Sequence, residues 1–162
     1  MGRGVLFALT AEEDELISEA DTDEEVMAIV EQIEERWEQP WLEELDKAWD
    51  ALHRCLSDGT LTEDGGDYPL SFAILGSEPI YDGDDYIVRY VAAEEVVEVA
   101  AALQPLDEQW LRERYRSLHF VDYEGFLGEE DLAYTVANFA DLQSFYQRAA
   151  AAGRAVIFTV DQ

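Results

Sequence analysis

Asp46, Trp49, Asp50 and His53, with Ser71 further along, are the residues whose types and spacing come nearest to chemistry. The stretch from about Trp41 reads as a helix. Taking roughly 100° per residue from Leu42, it carries Trp41, Leu45, Ala48, Trp49, Leu52 and Leu56 on one apolar stripe. His53 then falls at about 20°, Asp46 at about 40° and Asp50 at about 80°. An imidazole and two carboxylates would share the edge of the buried face, beside an indole. In that setting His53 titrates, Asp46 or Asp50 orients it, Trp49 is a wall and Ser71 is a hydrogen-bonding neighbour. The same spacing also describes a structural Asp–His pair at the rim of a core.

Other chemistry finds less support. His53 and His119 are the only histidines, no HExxH is present, and no set of metal ligands or cofactor signature emerges. The turns 63–67 (EDGGD) and 82–85 (DGDD) place carboxylates beside glycines without EF-hand spacing, and read as solvated acidic turns. Ser71 and Ser77 lack a G-x-S-x-G context, and Cys55 lies in RCLSD without the surroundings of a thiol nucleophile. Arg112, Arg114 and Arg116 do not share one helix face and sit among Glu108 and Glu113, so they read as offsetting local acids.

Charge narrows the partners. Ten Lys and Arg against 38 Asp and Glu give a net charge of −28 over 162 residues. Such a surface repels the phosphates of nucleic acids and the anionic face of membranes, and favours a basic partner. A single lysine, Lys47, against nine arginines fits a compositional bias or salt adaptation equally well. The acids are nevertheless concentrated: residues 11–50 hold 17 of them against Arg36 and Lys47. Glu12, Glu13, Glu24, Glu31 and Glu35 mark the expected partner-binding face.

The elements that must position these groups follow from periodicity. Val5–Leu9 and the run 154–160 are apolar on both faces, which predicts adjacent strands inside one sheet. Thr10 with Glu13, and Thr22 with Glu25, carry capping-box spacing for two helices, the second running to about Trp37. The third helix, from Trp41, ends at Ser57-Asp58-Gly59. Residues 58–68 form a turn-rich loop, and Pro69–Gly76 makes one or two helical turns. Tyr86–Val91 is β-rich, Ala92–Leu103 is helical, and Asp107 caps a short helix. Leu132–Ala149 is two helical stretches or one long bent helix. The expected fold is a single α+β domain over 1–162, a small mixed sheet with neighbouring N- and C-terminal strands covered by several helices. A 48% hydrophobic content supplies its core. A lone Cys55, the lack of a signal sequence and an opening apolar run too short for a membrane span point to the reducing cytoplasm. Leu6 stands where a myristoylation motif needs Ser or Thr.

LDKAWDALHRCLSDG (45–59), PLSFAILG (69–76), AAEEVVEVAAAL (92–103) and FADLQSFYQRAAAAGRAVIFTVD (139–161) resemble, in order and over nearly the whole chain, the YfbM-like family of small bacterial proteins. The opening Gly2-Arg3-Gly4-Val5 departs from the Gly-Met-Ile-Gly flavour usual there. The resemblance implies an α+β domain of unknown function and supplies no activity. Two readings follow. One is a non-catalytic acidic interaction protein whose N-terminal helices cover a basic protein, as an immunity-like protein covers a toxin. The other is a small-molecule binder or enzyme with a pocket at Trp49, His53 and Ser71.

Overall fold

The computed structural model describes residues 2–162. Its centre is a five-stranded sheet, order β2-β1-β5-β4-β3, made of β1 (Gly4–Ala8), β2 (Leu42–Asp46), β3 (Glu78–Pro79), β4 (Tyr86–Val91) and β5 (Val156–Asp161). The first and last strands pair along their length, Gly4 opposite Val160 and Ala8 opposite Val156. Every pairing is antiparallel, so the sheet expected to be mixed is not.

Both faces are covered, which is why the interior strands are apolar throughout. Leu6, Ala8, Val156, Phe158 and Val160 point into a core shared with α3 (Trp49–Leu56), α4 (Ala93–Leu103), α5 (Glu108–Ser117) and α6 (Glu129–Ala151). Phe7, Leu9, Val88 and Ile157 point the other way, against α1 (Ala11–Glu19) and α2 (Asp23–Arg36). The long α6 is one helix of 23 residues, and its buried Tyr146 hydroxyl donates to the Ala73 carbonyl at 2.6 Å.

The helix caps form as their residue types dictate. Thr10 and Glu13 complete a reciprocal capping box. Thr22 caps α2 through the Glu25 amide, but the Glu25 carboxylate turns back to the Asp21 N–H at 3.1 Å instead of closing the box.

One element departs from expectation. Residues 42–46 are strand β2, and the third helix begins at Trp49, not Trp41. Leu42 and Leu45 stand three apart, the spacing of a helix face. In a strand that spacing places them on opposite faces, and both faces here are buried. Leu42 joins the α1–α2 core and Leu45 the other. Glu43 and Glu44 lie between them on this outer strand, where charge guards an exposed sheet edge.

Candidate functional site

The shift of the third helix separates the residues grouped by sequence. Asp46 ends β2 with a left-handed φ of 48° and accepts the Tyr134 hydroxyl at 2.7 Å. It does not share a helix with His53. Trp49 is core, as expected, 4% exposed, and its Nε1–H donates to the Gly2 carbonyl at 3.0 Å. Asp50 is committed to Arg54, one turn on, with Arg54 Nε donating to its Oδ1 at 2.6 Å. Ser71 is buried in the short 3-10 turn Leu70–Phe72, its carbonyl accepting the Gly76 N–H.

His53 is sealed, with no exposed surface. Its Nε2 lies 2.8 Å from the Thr62 carbonyl, and its Nδ1 accepts the Leu75 N–H at 3.4 Å. Those partners require a neutral ring protonated on Nε2. Burial, opposed by the Thr62 carbonyl, holds its pKa below the ordinary 6.5. No carboxylate orients it and neither nitrogen is free, so the expected acid–base role for His53 gives way to a structural one. It ties the loop 58–68 to the segment 73–75 beneath it.

A pH signature follows. The unfolded chain takes up a proton on His53 below about pH 6.5, whereas the folded ring resists until its lower pKa is reached. Stability from this group is therefore present above 6.5 and lost as pH falls toward the folded value. Between about pH 7 and pH 5, the wild type should lose stability relative to His53→Gln by at most about 1.4 kcal/mol per pH unit. Urea midpoints at several pH values check this, and parallel curves for the two proteins would refute it.

Cys55 is buried and pushed up to about 12 by desolvation, which makes it a poor nucleophile. Arg114 donates to the Cys55 and Ser57 carbonyls at the end of α3, while Arg112 and Arg116 pair with Glu108 and Glu129. Among the described residues, no group of three or more His, Cys, Asp and Glu side chains is placed to hold a metal ion. No helix among them is long and apolar enough to cross a membrane.

The acidic face divides in two. Glu12, Glu24, Glu31 and Glu35 are exposed on α1 and α2. Glu13 is not part of a docking face: it is buried, takes the Arg36 guanidinium on both oxygens, and its pKa is lowered because these bonds outweigh the cost of burial. Arg36 also pairs with Glu38, and it is the only base on the two helices. Glu34 is pushed up, first by burial and then by Asp161 and Glu31, despite the Tyr86 hydroxyl it accepts. Crowded carboxylates on this side thus meet little neutralising charge.

Sequence gave no sign of the groove beside these helices. About 380 Å³ in volume, it is lined by Ile17, Ala20 and Val26 from the helical layer, by Ile80 and Tyr90 from the sheet side, and by Glu78. Tyr90 donates to Asp14 at 2.5 Å. The lining is part apolar and part polar, with Glu78 the acid among the lining residues.

Comparison with known proteins bears on this geometry at the level of fold. The family described as "Domain of unknown function (DUF1877)" matches residues 1–159. The solved structure of YfbM from Escherichia coli, described as a protein of unknown function, is similar with a TM-score of 0.71 at 21% identity, covering 98% of this chain and 99% of that one. No curated protein matches the sequence closely enough to add to this.

Proposed function

The chain belongs to the DUF1877 family, the YfbM-like proteins of unknown function, and from that premise we propose that it is a non-catalytic acidic interaction protein that binds a basic protein partner. The partner's basic amphipathic segment lies in the groove between α1, the start of α2 and Ile80–Tyr90, with its apolar side on Ile17, Val26 and Ile80. Its Lys and Arg side chains meet Glu12, Glu24, Glu31 and Glu35. The observation that carries this reading is the row of exposed acids on α1 and α2, where Arg36 is the only base, beside a groove that offers Ile17, Val26 and Ile80 as apolar contacts. Like charges crowded on two helices cost stability, and a cationic partner relieves that repulsion. Complementarity of this kind sets on-rate and specificity, as in an immunity-like protein covering a basic toxin. We place this work in the reducing cytoplasm, where the lone Cys55 stays a thiol.

A labelled amphipathic Leu/Arg peptide, followed by fluorescence anisotropy, tests the proposal. Binding should weaken steeply as salt rises, and by about tenfold or more when Glu12, Glu24, Glu31 and Glu35 are all changed to Gln. Ile80→Asp separates recognition from bulk charge, since it adds a negative charge while removing one of those apolar contacts. It should weaken binding; unchanged or tighter binding would show that the peptide is held by net charge alone and that the groove recognises nothing.

A further inference from the structure

A second cleft lies around β3, facing the loop that His53 anchors, with a volume of about 360 Å³. That is within the roughly 300–1,000 Å³ range of small-molecule pockets. Two buried polar groups line it. Arg89, on β4, is 7% exposed; its Nη1 donates to the Ser77 carbonyl at 3.2 Å and its Nη2 meets Glu63 Oε1 at 2.5 Å. The Ser77 hydroxyl is buried without a hydrogen-bond partner, a condition that costs free energy unless something answers it.

The counterion of Arg89 is unusual in its origin. A guanidinium this deep must face an anion, because an uncompensated buried charge costs several kcal/mol. Glu63 supplies that anion from outside: its side chain is 55% exposed, and it belongs to the irregular, glycine-bearing stretch 58–68. Its neighbour Thr62 is held by His53, so the Glu63 side chain can swing away without the backbone following. Arg89 therefore carries a carboxylate that another carboxylate could replace.

The rim decides which carboxylate. Asp64 and Glu78 also line the cleft and are exposed, and Phe72 supplies an apolar wall. A purely anionic ligand would be repelled by these acids. A ligand carrying its own ammonium group would not. We propose that the cleft binds a small zwitterionic amino acid, its carboxylate replacing Glu63 on Arg89 and accepting the Ser77 hydroxyl, its ammonium facing Asp64 and Glu78, and its side chain lying over Phe72. Glu63 is then a built-in occupant that the ligand displaces.

Isothermal titration of the twenty common L-amino acids, with acetate and ethylamine as half-ligands, tests this on the wild type, Glu63→Gln and Ser77→Ala. At least one amino acid should bind, and more tightly than either half-ligand. Removing the competing carboxylate in Glu63→Gln should tighten that binding by about tenfold, the scale of a charge-assisted hydrogen bond. Ser77→Ala, which removes a buried hydroxyl without a partner, should not lower the melting temperature and should weaken binding by about fivefold to tenfold. Circular dichroism confirms that each variant is folded, and Ser77→Ala decides the matter if Glu63→Gln is not. Absence of amino-acid binding to the wild type and to a folded Glu63→Gln overturns the proposal. So does weaker binding to Glu63→Gln, or ethylamine binding as tightly as the amino acids, since either would mark a site for cations. None of these results depends on the peptide groove.

Discussion

Arg54→Ala is expected to lose about 3–5 kcal/mol of stability, the cost of leaving a buried carboxylate alone. Side chains Asp50 and Arg54 are 1% and 2% exposed, one turn apart on α3, and joined at 2.6 Å. The guanidinium also donates from Nη1 to the Val121 carbonyl at 2.8 Å and lies over the rings of Phe120 and Tyr123, at 5.7 and 5.5 Å from their centroids. It thereby fastens the irregular segment after α5 to the core. Even with its partner present, burial holds the Asp50 carboxyl above the usual aspartate range. Without Arg54 the shift grows, and the sign of the pH dependence follows. A raised folded-state pKa means that the folded protein binds the proton more tightly, so stability is present at low pH and lost as pH rises through that pKa. Arg54→Ala should therefore regain part of its loss on mild acidification, relative to wild type. Replacing both partners, Asp50→Leu with Arg54→Met, removes the charges together and should fall within about 2 kcal/mol of wild type. Urea titrations of the three proteins measure all of this, and a loss below about 1 kcal/mol in Arg54→Ala would show the pair to be hydrated.

Much of the scaffold was legible because it obeys local rules. The runs 5–9 and 155–158 are apolar at every position, the pattern of a strand covered on both faces, so central places in the sheet follow from composition. Thr10 with Glu13 announced a helix start that formed as written. Leu42 and Leu45 misled for the converse reason: three-residue spacing is shared by a helix face and by a strand buried on both sides, and only the pairing with β1 tells them apart. That one shift moved Asp46 off the helix of His53 and dissolved the acid–base group built on it. What His53 does depends on Thr62 and Leu75, two carbonyl and amide groups of the backbone that no residue type could have advertised. The same holds for Glu13, whose exposure was cancelled by Arg36 from another helix, and for Ser77 and Arg89, which meet only because β3 and β4 pair. Local patterns specify elements; cavities arise where elements distant in sequence meet.

Trp49→Ala should cost about 3–5 kcal/mol, in the range of large aromatic truncations in cores. The indole opens α3 against the first and last strands. Its ring lies 5.8 Å from that of Phe158, tilted by 55°, and its Nε1–H holds the Gly2 carbonyl. β1 approaches so closely that a Cβ on Gly4 would stand 2.8 Å from Trp49 Cδ1 and 2.8 Å from Phe158 Cε1, so the strand has glycine where the two rings meet it. Truncation removes apolar contact, the hydrogen bond and the wall against which β1 is set. In a chain of this size the loss corresponds to a melting temperature lower by roughly 6–20 °C. Trp49→Phe separates the contributions: it keeps most of the packing and loses the hydrogen bond, for about 1–2 kcal/mol. A double-mutant cycle makes the packing claim specific. Gly4→Ala should destabilise the wild type, and should cost less in the Trp49→Ala background, where one of its two clashes is gone while Phe158 remains. Simple additivity of the two substitutions, or a melting shift of only a degree or two for Trp49→Ala, would place the indole outside the core and free it to line a binding surface.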